Sequence, residues 1–578
     1  MTTRNTMVNQ NQQDINMSNC KNLKPWLKSV FSTEEGEFHL KAIDLELANG
    51  LCLNEIAALA HGSHDDTALK LYAFLVIKLS QALSRGEVCI EISQLYDIQK
   101  KIGISLADVH GYLSQFATLH QVEINSPVEL ARLAQQNPYD LVINYPLVIM
   151  QGRLYFSRYW FYQQQVFFAI NSRLAINSPM GSSSDLADSE VNIDNEVANE
   201  VAHQEKTAQL SNTLQQLFPS NSAISALEDT QNNLQKEQPP NWQMLAAASA
   251  CLNRFSVITG GPGTGKTTTV TRLLAALISQ QPDLRIALAA PTGKAAARLV
   301  ESILAAKTQL AKSFPLAEKI PVSSFTLHRL LGWRPDGFSY NHKKTLPYDL
   351  VIVDEASMVD LPMMAQLMES LGDNTRLILL GDKDQLASVE AGSVLGDLCD
   401  SGVMVNGYHA HGLQAQRAKQ LAALCGLSLE ALEPYIETDA PIMTNSLTQL
   451  RKSYRFTRDS GIGQLAAAVN AGRYDQLVAS FEQYSDIQYY ANLIRSTYSK
   501  SASYATVAHQ KVDQVLPETL AAEQAWQQQV ITGYGHYLKA IDEGVDPEKV
   551  LQLFNRFQLL CALRQGSSGL HALNERIQ

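Results

Sequence analysis

The clearest chemistry in this chain lies in one run, Gly260-Gly261-Pro262-Gly263-Thr264-Gly265-Lys266-Thr267-Thr268. It fits G-x-x-x-x-G-K-[ST], with Gly260 and Gly265 as the framing glycines. Glycines let a turn bring its backbone N–H groups against phosphate oxygens without Cβ clashes. A helix starting there adds further donors and a partial positive charge. In such an arrangement Lys266 reaches the β- and γ-phosphates, and the Thr267 hydroxyl can ligate Mg²⁺. The flanks agree: Phe255 to Thr259 (FSVIT) reads as a buried strand and Thr268 to Ile278 (TTVTRLLAALI) as a helix. The run implies a site for a nucleoside triphosphate.

Other stretches carry matching chemistry. Asp349 to Glu355 (DLVIVDE) ends an apolar β run in two carboxylates. Strand alternation points Asp354 and Glu355 in different directions. Asp354 can then hold Mg²⁺ through water while Glu355 orients and deprotonates an attacking water. Arg376 to Leu380 (RLILL) reads as another strand, followed by GDKDQL, where Gln385 can sense a γ-phosphate. Gln243, near the start of a helix over 241–252, can meet the donor and acceptor edge of adenine. In Leu450 to Phe456 (LRKSYRF), Tyr454 can stack on adenine, and Arg455 can pair with the γ-phosphate from a second domain. Pro291-Thr292-Gly293 follows the strand RIALAA at its carboxyl end, where α/β sheets bind ligands. Small residues and backbone amides there suit a sugar–phosphate backbone. Thr326, His328 and Arg329 in SFTLHRLL can face a polyanion, although His328, set between apolar neighbours, reads on pattern alone as a packed structural residue. Trp333 to Leu346 reads as a hairpin turning at Pro335-Asp336-Gly337.

The elements that position these residues alternate strand and helix, which makes a parallel, doubly wound α/β sheet the expected core. At 578 residues the chain has room for several domains. Its 45% hydrophobic and 18% charged content is that of a globular protein, and no apolar run approaches a membrane span. Seven scattered cysteines with no C-x-x-C pair suggest neither a disulfide framework nor a zinc site, and a cytoplasmic location is expected. The net charge of −11 is concentrated between Leu174 and Glu237, where ten acidic residues face two basic ones, so a local basic groove elsewhere remains compatible. The expected organisation is a polar tail over 1–39, a small, mainly helical N-terminal domain over 40–171, an acidic disordered linker over 172–240, an ATPase domain over 241–440 and a further domain over 441–578. The rings of Tyr155, Phe156, Tyr159, Trp160, Phe161 and Tyr162, beside Arg153 and Arg158, can stack on single-stranded bases, but packing into a core is the preferred reading.

The stretches GGPGTGKTT, APTGKAAARL, SFTLHRLL, VIVDEASMVDLPMM, LLGDKDQLASVEAGSVLGDL and LRKSYRF follow the motif order of the superfamily-one DNA helicases. With DSGIGQLAAAVNAG and FQLLCALRQG, the wording resembles the RecD family, the alpha subunits of exodeoxyribonuclease V. The resemblance covers nearly the whole chain apart from its start and the acidic stretch. It implies a RecA-like P-loop motor domain with a parallel sheet, preceded by a partner-binding N-terminal domain and followed by a second RecA-like domain. It also implies an ATP- and Mg²⁺-dependent 5′-to-3′ translocase or helicase on single-stranded DNA, working with RecB-like and RecC-like subunits in a heterotrimer on broken double-stranded DNA. Nuclease chemistry would reside in another subunit. Residue by residue, it assigns Gln243 and Tyr454 to the base and Gly260 to Thr268 to the phosphates. Asp354 and Glu355 go to Mg²⁺ and water, Gln385 and Arg455 to the γ-phosphate, and Pro291, Thr292, Thr326 and His328 to the DNA track. The family continues past the segment resembling LNERIQ, so the second motor domain is expected to be incomplete at Gln578. Two other readings compete: an ATP-binding but motor-inactive docking subunit, and a small-molecule kinase that leaves APTGK and GDKDQ unexplained.

Overall fold

The computed structural model describes Pro25, Leu27 and residues 42–58, 66–122, 145–175, 193–219 and 240–386, then, with short breaks, 388–487 and 515–577. The rest of the polar start, residues 123–144, and 176–192 and 220–239 of the acidic stretch lie outside the described residues. Two compact units are formed, Met1–Arg455 and Phe456–Gln578.

The first unit begins with helices α1 (Ala42–Ala58) and α2 (Asp66–Ser84). Apolar side chains are buried around most of the circumference of α2, from Ala68 to Ala82, so it serves as the core of this part rather than as a surface helix. Beside it lie β1 (Cys89–Glu91), β2 (Leu119–Val122), β3 (Leu147–Met150) and β4 (Arg153–Phe156), in the order β1-β4-β3-β2. The aromatic run after β4 packs inward. Tyr155, Trp160 and Phe161 are buried, and the Trp160 Nε1–H points at Met150 Sδ, 3.3 Å away.

Helix α3 (Ser157–Ala175) carries the chain onward, and its Val166, Ile170 and Leu174 join the core of the following sheet. That sheet contains β5 (Phe255–Gly260), β6 (Ile286–Ala290), β7 (Phe325–Thr326), β10 (Leu350–Val353), β11 (Arg376–Gly381) and β14 (Leu447–Leu450). The remaining strands form two-stranded pieces, β8 (Trp333–Arg334) with β9 (Gly337–Phe338) and β12 (Val403–Val405) with β13 (Tyr408–Ala410). The β8–β9 pair is the expected hairpin.

The six strands run in the order β14-β5-β11-β10-β6-β7, all parallel. Alternation along the strands sorts their side chains to two faces. Ile258, Leu288, Leu350, Ile352, Ile378 and Leu380 face one core. Val257, Ala289, Val351, Val353, Leu377 and Leu379 face the other. Burial on both sides explains why these strands are nearly continuous aliphatic runs. Over the first face lie α4 (Ile193–Leu217), α5 (Trp242–Leu252), α6 (Lys266–Gln280), α7 (Gly293–Leu310) and α9 (Ala415–Cys425). On the second lie α3 and α8 (Leu361–Ser370). Asp360 caps α8 by accepting from Met363 N at 2.7 Å, with a proline in the first turn.

Two boundaries differ from expectation. The acidic stretch is not wholly a linker: α4 buries Leu210, Leu214 and Leu217, and Phe218 follows them into the core. Those leucines share one helical face, and the surrounding Ser, Asn, Gln and Glu hide them from any reading of composition. The six-stranded sheet also does not close at residue 440. Strand β14 pairs with β5 from Leu447↔Val257 to Leu450↔Gly260, and the unit runs to Arg455.

The second unit contains helices Gly461–Asn470, Tyr474–Gln483, Val515–Asp542, Pro547–Phe554 and Leu570–Ile577. Tyr534 and Tyr537 meet Phe554 and Phe557 at ring separations from 5.1 to 6.1 Å, tying the long helix Val515–Asp542 to the short helix Pro547–Phe554 and the residues just past its end. Among the described residues of this unit there is no strand, so the second RecA-like sheet expected here is not seen in them. Among the described residues, no helix is long and apolar enough to cross a membrane.

Candidate active site

Every strand of the six-stranded sheet runs in the same direction, so the loops after β5, β6, β7, β10, β11 and β14 gather at one edge. The glycine run leaves β5 at Gly260 and enters α6 at Lys266. Gly263 (φ 75°) and Gly265 (φ 83°) occupy the left-handed region, where a side chain is strained. The N-terminus of α6 has no side-chain cap, so its N–H donors stay open to an anion. Thr264 braces the loop internally through its Oγ1–H to Gly261 O at 2.9 Å. The Lys266 ammonium donates to Gly260 O and Gly261 O, folded back on the loop it serves. Thr267 is half-buried beside it, and Thr268 is exposed.

Three residues expected at the nucleotide converge on this loop. Gln243 sits in the first turn of α5, whose cap Asn241 accepts from Gln243 N and Met244 N. The Gln243 Nε2–H donates to Thr264 O at 3.0 Å. From the other side, Tyr454 N–H donates to Gly263 O at 2.8 Å and Ser453 Oγ–H to Pro262 O at 3.1 Å. A Cβ on Gly265 would overlap Gln243 Nε2 and lie 4.0 Å from Tyr454 Cδ2, so the two side chains flank that glycine. A Cβ on Gly263 would overlap the Arg455 side chain. Arg455 therefore stands at the loop from the end of β14 in the first unit. The expectation that it arrives from a second domain is corrected: β14 is an edge strand of the loop's own sheet.

The carboxylates arrive from the neighbouring strands. Asp354 follows β10, and its Oδ1 accepts from Glu355 N at 2.9 Å. The Asp354 carboxyl is raised to about 6, chiefly by burial and also by the Glu355 carboxylate, against the opposing Glu355 N–H and Lys266 ammonium. Glu355 diverges from Asp354 for a reason other than strand alternation. The strand ends at Val353, and Glu355 takes a left-handed conformation (φ 52°, ψ 41°), sparse for a residue with a Cβ. Its Oε2 is buried with no hydrogen-bond partner among the described residues.

Asp382, at the end of β11, is a member that sequence reasoning missed. It is buried, burial raises its pKa against the Asp384 N–H and Lys266, and its Oδ1 accepts from Asp384 N at 3.1 Å. The signal was present: LILLGD repeats the apolar-run-then-carboxylate pattern of LVIVDE. Gln385 is exposed, with its Nε2 3.4 Å from Asp382 Oδ2.

The residues expected on the DNA track do not meet the glycine loop; they lie together at the other end of the sheet. Strands β6 and β7 pair through Ala290↔Thr326, which sets Pro291 and Thr292 beside Thr326 and His328. Thr292 caps α7 by accepting from Ala295 N, and Thr326 caps the turn Leu327–Leu330 by accepting from Arg329 N. His328 is exposed, its ring 6.1 Å from that of Phe338 in the hairpin, so the packed reading of it is overturned. Arg329 and Lys294 are exposed nearby.

The unpartnered Glu355 oxygen and the glycine cradle open to an uncapped helix suit a triphosphate with a hard cation. Thr267 and Asp354 supply the oxygen donors that Mg²⁺ prefers. A parallel sheet with this loop and these strand-end carboxylates defines a RecA-like P-loop fold of the helicase type. The AAA domain family matches residues 243–391. The RecBCD enzyme subunit RecD of Haemophilus influenzae is 37% identical over 367 residues, covering 59% of this chain and 52% of that protein. RecD of Mycolicibacterium smegmatis is 35% identical over 347 residues, covering 58% and 49%. The ATP-dependent RecD2 DNA helicase of Deinococcus radiodurans is 43% identical over 140 residues, covering 24% and 17%. The chain is similar to RecD subunits over more than half its length and to a RecD2 helicase over about a quarter of it. It spans about half the length of the RecD relatives it matches.

Proposed function

We propose that this chain is the ATP-driven motor subunit of a RecBCD-type complex, translocating 5′ to 3′ on single-stranded DNA and acting on broken duplexes with RecB-like and RecC-like subunits. The observation that carries the reading is the convergence on Gly260–Thr268 of Gln243, Tyr454 and Arg455, residues far apart in sequence, opposite the carboxylates of Asp354, Glu355 and Asp382.

In this reading Lys266 and the α6 N-terminus neutralise the β- and γ-phosphates, and Gln243 and Tyr454 recognise the base. Thr267 and Asp354 hold Mg²⁺, which when bound neutralises charge on the phosphate oxygens. Glu355 accepts a proton from the attacking water, Arg455 stabilises charge on the transferred phosphoryl group, and Gln385 reports its loss to the loop after β11. Pro291, Thr292, Thr326 and His328 contact the DNA backbone. RecD names and the parallel-sheet P-loop core support this assignment.

The test is ATP hydrolysis by the chain assembled with its partner subunits, with and without single-stranded DNA. DNA-stimulated hydrolysis that disappears in Lys266→Ala while assembly persists supports the motor reading. Hydrolysis unaffected by DNA, with assembly intact, contradicts it.

A further inference from the structure

The segment bearing Tyr454 and Arg455 reaches the glycine loop from the end of β14, and one residue between strand and loop is tightly held. The Arg451 guanidinium carbon lies 4.0 Å from the centroid of the Trp242 ring and 4.8 Å from that of Tyr435. The two rings meet edge to face with centroids 4.9 Å apart. Leu245, Leu413, Leu421 and Leu447 line the same recess, so the cation sits against aromatic faces in a largely apolar setting, where cation–π attraction is strongest. A planar guanidinium can lie against one ring and still address a second, which an ammonium does less well.

The placement of Trp242 gives this cluster its meaning. Trp242 opens α5 and precedes Gln243, whose amide bonds Thr264 O. Arg451 follows β14 and precedes the Ser453–Tyr454 segment that bonds the loop at Pro262 O and Gly263 O. The clamp therefore joins the two pieces of chain that flank Gly265, one on each side. Without it, Tyr454, which is 61% exposed, is fixed to the loop mainly through backbone and through Ser453.

We propose that Arg451 is a positioning residue for base recognition: held by Trp242 and Tyr435, it sets Tyr454 opposite Gln243 and so gives the site its preference for a base-bearing triphosphate, without itself touching the nucleotide. This rests on the reading of Gly260–Thr268 as an ATP site. The clamp acts on the base side only, because the phosphate donors belong to the loop and α6.

The test compares dissociation constants of ATP and inorganic tripolyphosphate, both with Mg²⁺, for the full chain and for Arg451→Gln and Arg451→Lys. Arg451→Gln is expected to weaken ATP about tenfold and leave tripolyphosphate within about twofold. Arg451→Lys, which keeps a cation, is expected to fall between. Tripolyphosphate binding reports on each sample's fold. Parallel loss of both ligands in both variants would show a purely structural role and overturn the proposal, as would an unchanged ratio of the two affinities. A wild-type chain that binds neither ligand overturns the site reading, and the clamp with it.

Discussion

Replacing Gly263 by alanine tests the central geometry of the site without touching a phosphate-binding side chain. Gly263 has φ 75°, and a Cβ there would overlap the Arg455 side chain, sit 3.1 Å from Arg455 N and lie 3.2 Å from Ser453 Oγ. The backbone strain alone is worth roughly 1–2 kcal/mol. Overpacking against a backbone atom adds roughly 1–3 kcal/mol, because the far end of a flexible chain is not all that must move. The expected loss is about 2–5 kcal/mol, a fall of about 2–5 °C in the melting temperature of a unit of this size. Displacing Ser453–Arg455 should also weaken ATP by about tenfold. Gly261→Ala is the control: nothing lies within 4 Å of its Cβ and its φ is not left-handed, so stability should stay within about 0.5 kcal/mol. The assays are thermal unfolding and titration with a fluorescent ATP analogue. Equal behaviour of the two variants, with Gly263→Ala as stable as wild type, would refute the placement of the 453–455 segment on the loop.

Other outcomes rest on single contacts. Asp354 has its carboxyl raised by burial from 3.8 to about 6, so its contribution to stability is full below pH 3.8 and is lost as pH rises through 6. Asp354→Asn should therefore stabilise the fold by about 2–3 kcal/mol at pH 8 and by little at pH 4, read by urea unfolding; a gain independent of pH would contradict the shift. Glu355→Gln should lower ATP turnover by at least about a hundredfold while ATP affinity changes by less than about threefold, and an equal loss of both would remove its role as base. His328→Ala should leave stability within about 0.5 kcal/mol, since the ring is exposed, but weaken single-stranded DNA in a fluorescence anisotropy titration; unchanged DNA affinity counts against the β6–β7 edge as the track. Leu214→Ala should cost about 2–5 kcal/mol in urea unfolding because Leu214 is fully buried in the core on one face of the six-stranded sheet, and a neutral result would return α4 to the status of a linker.

Much of this site was legible in the sequence because its residues are constrained locally. A glycine-rich turn between a strand and a helix announces itself by spacing, and the Asp354–Glu355 pair stands at the end of an unbroken aliphatic strand. What was not legible depends on pairing across long separations or on conformation that no period encodes. The pairing of Leu447–Leu450 with β5 puts Arg455 in the first unit, and only the sheet reveals it. Glu355 lies past the end of its strand in a left-handed conformation that strand alternation does not encode. Leu210, Leu214 and Leu217 sit at helical spacing among polar neighbours, so the composition of the stretch hides the apolar face they form. Gln385 is the more distinctive residue type in GDKDQL, although Asp382 is the strand-end group whose carboxyl pKa burial raises.

The central claim is that Gly260–Thr268 fuels movement on DNA. The most direct measurement is the steady-state ATPase rate of the chain, assembled with its partner subunits, across a titration of single-stranded DNA, for wild type and Lys266→Ala. The predicted rate rises with DNA to saturation in the wild type and stays at background in the variant. A rate that ignores DNA, or one that survives the loss of Lys266, would contradict the claim.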